Sequence, residues 1–108
     1  MATTYKILGQ AAPGANVGAV LYTVPTTGNA VISTFIAMNA SSSAATFRAL
    51  VRSGSTHGIQ NHIAYDVALP PNDTVIMTLG ITLSGSCQLV VSGSTANVGF
   101  SAFGSEIT

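Results

Sequence analysis

The sequence predicts an all-β domain: a single antiparallel β-sandwich of about eight strands over residues 1–108, jelly-roll or Ig-like in arrangement. Three observations predict it. Apolar residues recur at every second position in short runs, the period of a half-buried strand. Clusters of Gly, Pro, Asn, Asp and Ser break those runs about every 8–12 residues, the spacing of sandwiches and barrels. β-Branched residues are frequent, and no window holds a long helical pattern. A chain of 108 residues encloses one core, and no linker, second domain or internal repeat interrupts it.

The first strand is TYKILGQ, residues 4–10. AVLYTV follows and is closed by Pro25 and the turn-forming PTTGN. In AVISTFIAMN, strict alternation puts Val31, Ser33, Phe35 and Ala37 on one face and Ile32, Thr34, Ile36 and Met38 on the other. After the ASSSA loop, ATFRALVR turns Phe47, Ala49 and Val51 inward and Arg48 and Arg52 outward. SGSTHGIQ reads as a loop, and NHIAYDVAL as a strand with Ile63, Tyr65 and Val67 on one face. PPND is a turn, because proline fixes φ and Asn and Asp bond their own backbone. TVIMTLGITL, CQLVVS and VGFSAF complete the set, separated by SGS and GSTAN turns. Phe100 and Phe103 fall on opposite faces of the last strand, so one of them is a candidate intersubunit anchor.

Charge is scarce. Only Lys6, Arg48, Arg52, Asp66, Asp73 and Glu106 are ionic, 6% of the chain with a formal net charge of +0. A folded monomer of this size has roughly 5,600 Å² of surface, or about one charge per 900 Å². Ser, Thr, Asn, Gly and Ala must make up the outside. Such a surface resists association weakly. Free sheet edges invite pairing, and proteins usually blunt them with Lys, other charges, Pro or bulges. With one Lys, and prolines mostly at turns, this chain predicts edges covered by other subunits unless the sheet closes into a barrel.

The same composition excludes several classes. Three separated cations cannot form the basic stripe that nucleic acid requires. No apolar run approaches the roughly 18 residues of a membrane span. MATTYKILGQAAPGANVG lacks a basic start followed by an unbroken apolar region, so no signal peptide is expected. Lone Cys87 cannot form an internal disulfide and is expected to pack as a small apolar side chain.

HGIQNHIAYD, residues 57–66, holds both histidines and one of three acids, and so invites a catalytic or metal reading. Strand geometry argues against it. His62 and Asp66 share a face, but their Cα atoms lie roughly 13 Å apart at 3.3 Å per residue. Zinc–ligand bonds are about 2 Å. Further ligands would have to come from His57, Asp73, Glu106 or Cys87. No G-x-S-x-G elbow, no phosphate loop with Lys, and no Trp platform beside paired acids is present. The chain is therefore expected to be non-enzymatic, with no cofactor and no metal. Asp66 is expected to pair with Arg48 or Arg52, across a hairpin or a subunit contact, because the planar guanidinium binds carboxylate bidentately. Asp66→Ala should then lower stability or assembly.

Taken in order, TYKILGQAAPGA, LYTVP, VISTFIAMN, FRALVR, HIAYDVALPPNDTVIMTLGITL and STANVGFSAFGSE resemble small virion structural proteins of tailed bacteriophages, including cyanophages. The resemblance covers residues 4–106 and is most distinctive at 5–10, 62–66, 72–83 and 100–106. It implies a virion component assembled in the host cytoplasm. The expected role is a capsid decoration or cement protein, a homo-oligomer with a trimer as the expected form, bound to the major capsid protein or another virion protein. A peripheral tail, neck or baseplate part is the alternative. The family usually has a longer VRPAGA region where this chain has VRSGSTHGIQ, and often an acid near residues 85–87. Both departures fall in loops, so they bear on partner contacts rather than on fold. A glycan or host-receptor module is the third reading, with Tyr5, Tyr22 and Tyr65 available to stack on sugar. It is weakened by Trp being absent and by Tyr5 and Tyr65 falling on core-facing registers.

Overall fold

The computed structural model describes residues 2–54 and 58–108. Eight strands form: β1 (Thr3–Ala11), β2 (Ala19–Thr23), β3 (Asn29–Asn39), β4 (Ala45–Ser53), β5 (His62–Leu69), β6 (Thr74–Leu83), β7 (Cys87–Gly93) and β8 (Val98–Ile107). One 3-10 turn, Ile59–Asn61, precedes β5. The strands build two four-stranded antiparallel sheets, ordered β1-β8-β3-β6 and β2-β7-β4-β5. Of the two arrangements left open by strand spacing, this order is the jelly roll, in which eight strands form two Greek keys.

The two sheets close over an aromatic centre. Phe35, Phe47 and Phe100 pack with ring centroids 5.9–6.1 Å apart, flanked by Ile32, Leu69 and Leu89. Phe100 is 2% exposed and offers no surface to a partner. Its candidacy as an intersubunit anchor is thereby corrected: it lies in the ring cluster, and Phe103 is the aromatic on the outer face. Cys87 packs against the edge of this core.

Bulges break the strict alternation, and each moves a side chain across a sheet. In β3, Ile32 pairs with Gly104 but Thr34 pairs with Phe103, so Ser33 is the extra residue. Its hydroxyl donates to the Phe103 carbonyl at 3.1 Å. The parity change puts Ile32 in the core beside Phe35, correcting the opposite-face assignment. In β5, Leu50 pairs with His62, Ala49 with Ala64 and Phe47 with Val67. Ile63 is therefore one extra residue, and Tyr65 and Asp66 together oppose Arg48. The result is Ile63 and Val67 inward but Tyr65 outward at 48% exposure, so the core-facing reading of Tyr65 is wrong. Tyr5, at 84% exposure, is likewise outward, because β1 keeps Ile7 and Tyr5 on the solvent side of its Leu8 bulge.

One buried amide organises an end of the sandwich. Asn39 is 1% exposed. Its side-chain NH2 faces the carbonyls of Ser43, Leu69 and Pro70 at 2.8–3.3 Å, and its oxygen accepts from the Ser41 N–H and hydroxyl. This ties the β3–β4 loop to the turn that joins β5 and β6.

Candidate functional site

Of the residues singled out in the sequence, Arg48, His62, Tyr65 and Asp66 meet on the outer face of the β2-β7-β4-β5 sheet. Arg48 projects from β4, and the second bulge of β5 swings Tyr65 and Asp66 around it. Asp66 adopts φ 50°, a left-handed conformation that Asp tolerates better than most residues. From there its carboxylate accepts from Arg48 Nε at 2.6 Å and Nη2 at 3.1 Å, a bidentate pair. The guanidinium lies 4.1 Å from the centroid of the Tyr65 ring, a cation–π contact. His62 packs edge-on to the same ring, with centroids 5.0 Å apart at 75°. Arg48 holds the Asp66 carboxyl below its ordinary value, chiefly by the hydrogen bond, and the Arg48 pKa is raised in return.

Arg52 stands apart from this pair: its Nε donates to the Gln88 side chain at 3.0 Å on β7. His57 lies outside the described residues. Among the described residues, no three His, Cys, Asp or Glu converge as a metal centre.

Beside the ion pair, at the end where the β1–β2 and β7–β8 loops meet, is a cleft of about 120 Å³. Asn16, Thr46, Arg48, Asp66, Ser92 and Ser94 line it. Asn16 is held there at φ 56° by its N–H donating to the Gly93 carbonyl. Every one of these side chains can form hydrogen bonds, and among the described residues the two charges there, Arg48 and Asp66, neutralise each other. The arrangement can bind a neutral hydroxylated group. Nothing in it combines a nucleophile with a positioned base.

A second ionic group went unread in the sequence. Tyr22 is buried on β2, and its hydroxyl donates to Glu106 on β8, across the gap between the sheets. Lys6 Nζ approaches the other Glu106 oxygen at 3.2 Å. Burial, then the Glu106 hydrogen bond, pushes the Tyr22 phenol up, while the bond from Tyr22 leads in lowering Glu106. The burial of Tyr22 removes it from the surface aromatics available to a sugar. Its signal was faint, since no short motif links residues 22 and 106.

The outer face of the β1-β8-β3-β6 sheet is different. Tyr5, Ile7, Ile36, Met38, Ile76 and Phe103 lie on it, with Ile7 opposite Phe103 and Ile36 opposite Ile76. No ionic side chain joins them: Lys6 and Glu106 turn toward Tyr22, Asp73 sits in a turn, and the remaining three ions belong to the other sheet.

No protein-family model matches the sequence, and no curated protein matches it. Among solved structures, the fold is similar to a chain in the structure of infectious bursal disease virus Gx strain, with TM-score 0.59 and 15% identity over 97% of this chain. It is also similar to a chain of the Gt strain of that virus, with TM-score 0.51 and 11% identity over 96% of this chain. The protein spans about a third of the length of those viral chains, 32% and 31%. The likeness lies in the β-fold, which this chain shares with part of a viral protein.

Proposed function

We propose that this chain is a non-enzymatic structural component of a tailed-phage virion, a capsid decoration or cement protein that binds the shell as an oligomer. The observation that carries the reading is the jelly roll itself, aligned over nearly the whole chain with part of a virus structure. Jelly rolls recur in viral capsid domains. The charge-poor exterior supports it too, because an uncharged sheet face is suited to being covered by the major capsid protein or another virion protein. Many copies of a rigid domain would then add modest contacts through multivalency.

The test is to separate source particles into heads and tails and to quantify the chain in each by mass spectrometry. Hundreds of copies on heads are expected. A small fixed number confined to tails would reject decoration and make the chain a peripheral tail, neck or baseplate part. Contacts with so little charge should survive about 1 M salt, where the Debye length is only about 3 Å.

A second reading, a glycan or host-receptor module, is favoured by one observation: exposed Tyr65 beside the neutral hydroxyl-lined cleft. Jelly rolls also recur in lectins. Glycan-array binding by the isolated chain, lost in Asp66→Ala, would establish it, and a blank array would remove it.

A further inference from the structure

The four sheet edges are not equivalent. β1 and β2 lie against each other along one side of the sandwich, so closely that a Cβ on Gly9 would stand 2.0 Å from the Leu21 carbonyl oxygen. β2 is also short, five residues with a bulge between Val20 and Tyr22. On the opposite side, β5 carries two bulges and the Asp66 charge. These are recognised ways of blunting an edge. β6 has neither charge nor proline in its ten residues, TVIMTLGITL. One irregularity, opposite Ser33, leaves residues 74–78 in unbroken register with residues 34–38. Among the described residues, no strand pairs with its other margin.

We propose that the free edge of β6 receives β6 of a second copy of this chain, antiparallel, so that two four-stranded sheets become one of eight. A two-fold interface must be self-complementary. When a strand pairs with itself, a charged residue near the two-fold axis brings its own charge close to the partner's like charge, which is unfavourable. β6 has no charged residue at all, and its Thr, Ile and Val side chains favour pleated pairing. The zero formal net charge leaves two copies little to repel them. Ile76, 64% exposed on this strand, gains cover from the partner. The inference holds whether or not the chain belongs to a virion.

The experiment is sedimentation velocity of the full chain across a dilution series, with hydrogen exchange of the β6 amides. A concentration-dependent dimer is expected, with the outward-pointing β6 amides, those not bonded to β3, protected in the dimer and exchanging in the monomer. Ile76→Lys and Thr78→Lys, both at exposed positions, should abolish the dimer at every concentration while leaving the melting temperature near that of the parent. Ile7→Lys, on the same outer face but on β1, should leave the dimer intact. A chain that stays monomeric throughout would overturn the proposal. So would a dimer that survives both β6 variants, one that is lost equally in Ile7→Lys, or open-ended aggregation. Protection of β6 only inside particles, with a monomer in solution, would give the edge to another virion protein and overturn the second copy as its occupant.

Discussion

β5 and β6 are consecutive in sequence, joined by the four-residue turn 70–73, and each is an edge strand of its own sheet. They end their sheets in opposite ways. β5 is interrupted twice, turns Asp66 into a left-handed conformation and sets its carboxylate on Arg48. β6 runs ten residues without a charge. The His62–Tyr65–Asp66 cluster, which looks catalytic as a string of letters, therefore has an architectural reading. It coincides with the bulges that interrupt the β4–β5 ladder. Scarce charge in this molecule is placed where one sheet must end, and it is missing from the edge we assign to pairing.

The largest perturbation should be to the core that both edges share. Phe47→Ala, beneath β5, should cost about 3–5 kcal/mol through lost burial and an incompletely collapsed cavity. Denaturant titration followed by hydrogen exchange should show β5 and β6 losing protection together. Separate transitions would mean that the two edges belong to different cooperative units.

Next is Asn39, whose amide holds the β5–β6 turn. Asn39→Ala leaves the Leu69 and Pro70 carbonyls without their donor and should cost about 1–3 kcal/mol, read as a lower urea midpoint at unchanged slope. If the midpoint does not move, the turn is held by other bonds.

The pH dependence is intermediate in size. Glu106 is lowered from 4.5 and Asp66 from 3.8, so their contributions are complete above those values and are lost as pH falls through the lower folded ones. Tyr22 is raised from 10.0, so its contribution is complete below that value and fades as alkali rises toward the folded one. Melting temperature should thus fall on both sides of a neutral plateau. Tyr22→Phe should abolish the alkaline fall and weaken the acid one, leaving the part of the Glu106 share that Lys6 supports and a small Asp66 share.

The smallest effects, and the sharpest contrast, should come from side-chain exchange on the two edges themselves. At Asp66 the backbone decides: Asp66→Gly should melt close to the parent, Asp66→Ala lower and Asp66→Val lowest, since β-branched residues resist positive φ. The exposed ion pair itself adds little. At Thr78, in regular extended backbone, Thr78→Val should be tolerated. Equal responses at both positions would erase the distinction between an edge bulged at the substituted residue and one that is regular there.

The sequence by itself determined the fold class, the approximate places of eight strands and nearly all turns, and the poverty of surface charge. These are local properties: a period of two, the φ preference of Pro and Asn, and a count of ionic groups. It also narrowed the partner of Asp66 to Arg48 or Arg52. The charge-free run 74–83 was visible as well, although nothing local marked it as an edge. Only the tertiary structure decided the jelly roll over the Ig-like order, since strand neighbours far apart in sequence are chosen by packing. It alone placed Ile32 inward and Tyr65 outward, because a bulge occurs where a neighbouring strand has one residue fewer, and alternation within a single strand carries no record of that. For the same reason it joined Tyr22 to Glu106 and gave Asp66 to Arg48, which the β5 bulge faces, while Arg52 lies four residues farther along β4.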